Sequence, residues 1–132
     1  MTQPYGIDTS VLVRLATGEP AGDFQQCVES LRALVEDQGR EVFVSNMVIG
    51  EAYVAMRHHY GVEDKDAKAV LADVLTSGLI APLNGQAIIL ALQAEGNPGL
   101  FDRLIADDYH RAGLETLTLD RRMASLATVH RL

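Results

Sequence analysis

A chain of 132 residues that is 48% hydrophobic and 22% charged has the length and apolar content of one ordinary domain, so a single domain over residues 1–132 is expected. No apolar run approaches the roughly 20 residues that span a bilayer, and the opening MTQPYGIDTS lacks the basic-then-apolar order of a secretory leader. Cys27 has no second cysteine to pair with, and the expectation is a cytoplasmic protein with no membrane association. The formal net charge of −7 argues against a generic basic nucleic-acid binder. Yet the lysines are only Lys65 and Lys68, and the remaining cations are arginines, which suit bidentate phosphate contact.

In chain order, Gln3 to Ile7 reads as a first strand ending at Asp8, after which Val11, Leu12 and Leu15 repeat at helical spacing. Gly18, Pro20 and Gly22 punctuate the chain before a helix from Asp23 to Gln38, striped with Phe24, Cys27, Leu31, Leu34 and Val35 and ended by Gly39. Glu41 to Val44 predicts a buried strand, with Ser45 as the N-cap of a helix that runs to His59 or Tyr60 and stops at Gly61. A more polar helix spans Glu63 to Ser77, Leu79 to Leu83 is a short strand, and Gly85 to Glu95 is another helix. Asn97 and Pro98 have the pattern of an N-cap followed by proline at the first helical position, which opens a helix ending near Gly113. Leu114 to Leu119 alternates as a strand, and Arg121 to Val129 reads as a last helix. Strands alternating with helices predict an α/β fold with parallel pairing and helices on both faces.

Four acids stand out against this framework. Asp8 and Asp120 each follow a strand and open the next element, so either is an N-cap or a group at the carboxyl end of a parallel strand, where ligands collect. Glu51 has Met47, Val48, Val54 and Ala55 three and four positions away, so it is expected to face the core. Asp102 shares a face with Ile105, Ala106 and Tyr109, and is an interior helical position if the helix begins at Asn97 or a cap if it begins later. An arginine salt bridge is the ordinary alternative for the last two. If the fold gathers all four, a cation must accompany them, because two like charges 4 Å apart repel by about 4 kcal/mol at an effective dielectric of about 20. Mg²⁺ or Mn²⁺ suits carboxylate oxygens and leaves positions for water and phosphate. Removing four such charges would leave −7 + 4 = −3, so more than half of the acidic excess would belong to such a site.

The blocks IDTSVLVRLATGE, SNMVIGEAYVAMRHHYG and FDRLIADDYHRAGLETLTLDRRMA, in this order along essentially the whole chain, resemble PIN-domain ribonucleases, in particular VapC-type toxins of bacterial toxin–antitoxin pairs. The resemblance implies a PIN-like three-layer α/β/α sandwich with a small, mostly parallel central sheet flanked by helices. It implies that Asp8, Glu51, Asp102 and Asp120 are the acidic quartet, with Asp8 and Asp102 the principal metal ligands and Thr9, Ser10 and Thr118 supporting hydroxyls. It further implies Mg²⁺- or Mn²⁺-dependent hydrolysis of tRNA, rRNA or mRNA to 5′-phosphate and 3′-hydroxyl ends, a VapB-type antitoxin that inserts arginine into the site, and a homodimer. Arg103 stands where the family often has a small residue, and Asp107 and Asp108 where alanine is frequent. Helical geometry turns these two about 140° and 240° from Asp102, so both are expected on the solvated surface.

Arg14, Arg57, Arg103, Arg121 and Arg122 are candidates for phosphate contact, with surface ion pairing the alternative for each. His58 lies seven residues beyond Glu51, about 10.5 Å along a helix and too far for one coordination shell, so surface or capping roles are expected for it and for His59, His110 and His130. A haloacid-dehalogenase-type phosphatase would want aspartate where Ser10 stands, and a response-regulator receiver would want a lysine beyond Lys68. A binding module that uses the acidic groove only to hold a basic peptide is the competing reading.

Overall fold

In the computed structural model, which describes residues 3–132, the short strands pair in parallel, and α-helices make every return path except the last, from the fourth strand to the fifth. Strands β1 (Tyr5–Gly6), β2 (Val42–Val44) and β3 (Ala81–Pro82) form one ladder in that order, with Tyr5 opposite Val42 and Phe43 opposite Ala81. Strands β4 (Thr116–Thr118) and β5 (Val129–Arg131) form a second ladder, with Thr116 opposite Val129. Parallel neighbours need long crossovers. Helices α1 (Thr9–Thr17) and α2 (Ala21–Arg32) join β1 to β2, and α3 (Asn46–His58) and α4 (Asp64–Leu75) join β2 to β3. Helices α5 (Gln86–Gln93) and α6 (Leu100–Arg111) lead on to β4. The class is mixed α/β of the α/β/α kind, as the alternation of periods predicts.

The main core gathers Leu12 of α1, Val42 and Val44 of β2, Ile49, Ala52 and Met56 of α3, Leu71 of α4, and Ile88 of α5. A smaller cluster of Ala106, Met123 and Val129 fastens the second ladder to α6. Local signals set the helix ends. Ser45 Oγ accepts the Val48 amide at 3.3 Å, the N-cap bond expected of it. Gly18 closes α1 at φ 70°, a left-handed position that disfavours any side chain. Helix α2 begins two residues earlier than predicted, and its final turn widens to π geometry over Ala33–Asp37, with the Gln38 amide donating to Ala33 O at 3.2 Å.

Three expectations are corrected. The helix predicted from Asn97 starts at Leu100 behind Gly99, which makes no side-chain cap bond, so Asn97 and Pro98 lie outside it. The last helix predicted over Arg121 to Val129 is a single 3₁₀ turn, Met123–Ser125, followed by β5. Ser125 Oγ turns back to Arg122 O at 2.7 Å and ends the turn, and the β-branched pair Thr128–Val129 continues in extended form beside β4. The alternation of Leu114 to Leu119 is real, but Thr116 is the buried residue and Leu117 is 66% exposed. No described helix is long and apolar enough to cross a membrane.

Helices α3, α4 and α5 are braced by a polar relay. The Tyr53 hydroxyl donates a short hydrogen bond to Asp64 Oδ1, and Lys68 Nζ reaches Asp64 Oδ2 and Ala94 O, both at 3.2 Å. Lys68 is only 9% exposed, so these contacts compensate a buried ammonium at the end of α5. The Tyr53 bond, then the Lys68 contacts, hold the Asp64 carboxyl below its ordinary range, while burial and Asp64 push the Tyr53 hydroxyl up. A carboxyl depressed in the folded state stabilises above its unfolded pKa and loses that contribution as pH falls through its folded value. Asp64→Asn is therefore expected to lower stability at neutral pH by about 1 kcal/mol, a charged hydrogen bond discounted for a half-exposed partner. The gap from wild type should close as pH drops below the ordinary carboxylate range, as followed by urea unfolding at stepped pH.

Candidate metal centre

The carboxyl ends of β1 and β4 carry two of the candidate acids, beginning with Asp8 directly after β1. Its side chain caps α1, with Oδ1 accepting the Ser10 amide at 3.1 Å, the Val11 amide at 3.4 Å and the Ser10 hydroxyl at 2.5 Å. The Ser10 hydroxyl, then the Val11 amide, hold the Asp8 carboxyl below its usual range. All three bonds go to one oxygen, so Oδ2 is left for another partner. Cap and ligand are therefore compatible roles for the same side chain. Asp120 repeats the arrangement after β4, where Oδ1 accepts the Arg122 amide at 2.7 Å and the Met123 amide at 3.2 Å, and Oδ2 accepts neither. Its own amide donates to Thr118 Oγ1 at 3.0 Å.

Glu51 does not face the core as its helical neighbours suggest. It is exposed on α3, as are Met47 and Val54, whereas Ile49, Ala52 and Met56 turn inward. The apolar stripe runs through the other face because α3 packs against α1, α4 and α6 at once. The exposed carboxylate is held by the Thr9 hydroxyl, which donates to Glu51 Oε1 at 3.2 Å and so couples the start of α1 to the middle of α3. Asp102 is half-buried in the first turn of α6, neither its cap nor an interior position. Its neighbour Phe101 lies edge-on to Tyr53 with ring centroids 6.0 Å apart, and the same ring crosses Gly50, where an added Cβ would meet Cε1 at 2.8 Å. The absent side chain at Gly50 thus lets α6 approach beside Glu51.

The structure brings Asp8, Glu51 and Asp102 onto adjoining elements through Thr9 and Phe101, while Asp120 lies two residues beyond β4 of the second ladder without a hydrogen bond to the other three. Among the described residues, no three His, Cys, Asp or Glu side chains converge on one metal position. The donor set nevertheless fits a hard divalent cation by its chemistry. It consists of carboxylates with hydroxyl support, and none of the four acids forms an ion pair among the described residues. The three hydroxyls of Thr9, Ser10 and Thr118 all bond to members of this set.

The arginines divide. Arg14 leans to Asp23 at 3.9 Å, Arg57 donates to Val62 O at 3.4 Å, and Arg103 to Pro98 O at 3.0 Å. The exposed side chains of Arg121 and Arg122 make no hydrogen bond or ion pair among the described residues, which leaves them available beside Asp120. The expectation that Asp107 and Asp108 are solvated surface holds for Asp108, which is exposed, and is overturned for Asp107. The Asp107 side chain is 12% exposed and pairs with Arg111 at 3.5 Å, and both acids meet the amides of Asn46 and Asn84. Sequence reasoning passes over these asparagines, although each stands just beyond the carboxyl end of a strand. A cleft of about 410 Å³ beside Lys68 lies between α4 and the chain after α5, lined by none of the four acids.

A family model described as PIN domain matches residues 5–129. No curated protein and no solved structure matches the chain.

The capping geometry sets a test of the local electrostatics. Ser10→Ala removes the largest interaction that favours ionised Asp8 and is expected to move its carboxyl pKa back toward the ordinary value, as read by NMR titration of the Asp8 carboxyl carbon. An unmoved pKa would mean that the Ser10 hydroxyl does not hold this carboxylate.

Proposed function

This chain belongs to the PIN-domain family, and on that premise we propose that it is a Mg²⁺- or Mn²⁺-dependent endoribonuclease and the toxin of a VapBC-type toxin–antitoxin pair. PIN domains are typically metal-dependent nucleases. The observation that carries the reading to this chain is the set of four acids, Asp8, Glu51, Asp102 and Asp120, that have hydroxyl or amide support in three cases and a cationic partner in none among the described residues.

Asp8 and Asp102 would hold the cation, with Glu51 and Asp120 completing the set. When bound, the cation supplies a water of lowered pKa and screens the charge that builds on the phosphate. The chain's own contributions follow from its contacts. Ser10 and the first-turn amides keep Asp8 ionised and directed, and Thr9 fixes Glu51, which accepts the proton of the attacking water or orients it. Arg121 and Arg122 follow Asp120 and meet the RNA phosphates, which offsets part of the repulsion between an acidic protein and its substrate. Partners in this reading are an RNA substrate, a VapB-type antitoxin and a second copy of the chain. The pairing surface is supported by Phe101, Ile105 and Tyr109, which recur every fourth residue on α6 and are 43%, 43% and 47% exposed.

The same ion-pair-free carboxylates would also receive the arginine of a basic peptide, so a catalytically silent binding module is the second reading. Asp8→Asn separates the two, because asparagine caps a helix about as well as aspartate and the fold should be kept. RNA cleavage in Mn²⁺ is expected to fall at least about a hundredfold in Asp8→Asn and in Asp102→Asn, the loss typical of removing one electrostatic catalytic group. Wild-type protein that binds a basic peptide and cuts no RNA would establish the module instead. Arg121→Ala and Arg122→Ala are expected to weaken RNA binding while each lowers the salt slope by about 1, measured by fluorescence anisotropy across a salt series.

A further inference from the structure

Among the described residues β1 pairs only with β2 and β4 only with β5, so each strand has a second edge without a partner. In a parallel ladder a residue turns its amide and its carbonyl to the same neighbour, and successive residues alternate. The Tyr5 and Ile7 amides donate to Glu41 O at 2.9 Å and Phe43 O at 3.1 Å, so both backbone groups of Gly6 face the open edge of β1. On β4 the Thr116 amide donates to Thr128 O at 2.9 Å and Thr118 O accepts the Leu132 amide at 2.8 Å. Both backbone groups of Leu117 therefore face the open edge of β4.

Sheet edges are normally blunted by charge or proline. Strand β3 contains Pro82, and β5 turns Arg131 away from β4. Strand β4 has no such guard, since Leu117 and Leu119 are 66% and 78% exposed. At β1, Pro4 removes only the donor ahead of the strand, and Pro4, Tyr5 and Gly6 are all exposed. Beside them opens a recess of about 340 Å³ lined in part by Ile7, Phe43 and Leu83.

We infer that β4 of a second copy of this chain pairs in parallel with the open edge of β1, and that the exchange is reciprocal, so that each copy supplies Asp120 to the other's acidic centre. The alternation fixes the register. Gly6 can bond through its amide to the partner's Leu117 carbonyl and through its carbonyl to the partner's Leu119 amide, which sets Gly6 level with Thr118. Asp8 and Asp120 each lie two residues beyond the last paired residue of their strands, so this register sets them side by side. It also turns Thr116 and Val129, which face the smaller core, to the side of Phe43 and the open recess. The chain's own β4 is held away from β1, because α6 is pinned by Asn46 to Leu104 O at 3.1 Å and by Arg111 to Asn84 O. Residues 112–115 then turn tightly into β4, with the Leu114 amide on Tyr109 O at 2.9 Å. A reciprocal exchange closes as a two-fold dimer. The purpose given to the juxtaposition rests on the four-acid reading above, whereas the strand contacts do not.

The test is disulfide trapping between two chains, both with Cys27→Ser, one carrying Gly6→Cys and the other Thr118→Cys. A Cβ at Gly6 meets nothing closer than Phe43 O at 4.0 Å. Paired strands lie about 4.8 Å apart, within the roughly 4.4–6.8 Å between Cα atoms that a disulfide spans. Oxidation of the mixture is expected to join unlike chains in excess over like ones on non-reducing gels. Sedimentation should show wild type as a dimer. Leu117→Lys, a charge at an exposed edge position, should raise its dissociation constant at least about tenfold, the worth of one buried leucine. A monomeric wild type, no excess of unlike pairs, or a dimer indifferent to Leu117→Lys overturns the inference. So does a chain with both Gly6→Cys and Thr118→Cys that closes its disulfide as a monomer, since the strands then pair within one chain. RNA and metal enter none of these readouts, so the exchange can fail while Asp8→Asn still abolishes cleavage, and the nuclease reading can fail while the exchange stands.

Discussion

Holding carboxylates that have no cationic partner at and beside the carboxyl ends of the parallel strands is the constraint that the local contacts of this structure serve. Asp8 and Asp120 stand at strand ends, and α3 and α6 carry Glu51 and Asp102 alongside. Two such charges 4 Å apart would repel by about 4 kcal/mol at an effective dielectric of about 20. The chain answers locally by binding one oxygen of Asp8 to two amides and a hydroxyl and one oxygen of Asp120 to two amides. Glu51 is tied to Thr9. These bonds direct the carboxylates, and at Asp8 they favour the ionised form, but none supplies an opposite charge.

Helix α3 transmits this constraint to the fold. One face buries Ile49, Ala52 and Met56 in the main core, Gly50 admits the Phe101 ring, and Glu51 stays outside beside Thr9. At its first residue Asn46 binds α6 through Leu104 O and two carboxylates, and at Tyr53 it meets Asp64 of α4. A shift of α3 would therefore disturb the core, the acids and both polar networks together. That dependence explains why a short-stranded α/β domain can hold charged groups in fixed positions: the helices, rather than the two- and three-residue strands, carry the rigidity.

Much of the architecture is legible in the sequence because it rests on local signals. Ser45, Asp8 and Gly18 mark helix ends by capping chemistry, and apolar spacing marks the six long helices. The last segment departs from expectation because Arg121 to Val129 has helical composition, whereas the Ser125 back-bond and the pairing of Val129 with Thr116 decide its form, and the latter is a contact between distant residues. The four acids are visible from their positions at strand ends and on helices. The inward orientation expected of Glu51 fails because three helices compete for α3, and nearest-neighbour hydropathy does not say which face wins. Asp107 and Asp108 escape a sequence reading for a related reason: their partners, Asn46 and Asn84, are far away in sequence and polar, and hydrophobic periodicity carries no trace of them.

The measurement that tests the central claim most directly is calorimetric titration of Mn²⁺ into wild type and into the Glu51→Gln and Asp102→Asn variants. A metal centre built on these acids predicts a binding isotherm in wild type that weakens strongly in each variant, with thermal unfolding of the metal-free proteins little changed. Binding that is the same in all three, or absent from wild type, would contradict such a centre and leave the acids as caps and surface charges.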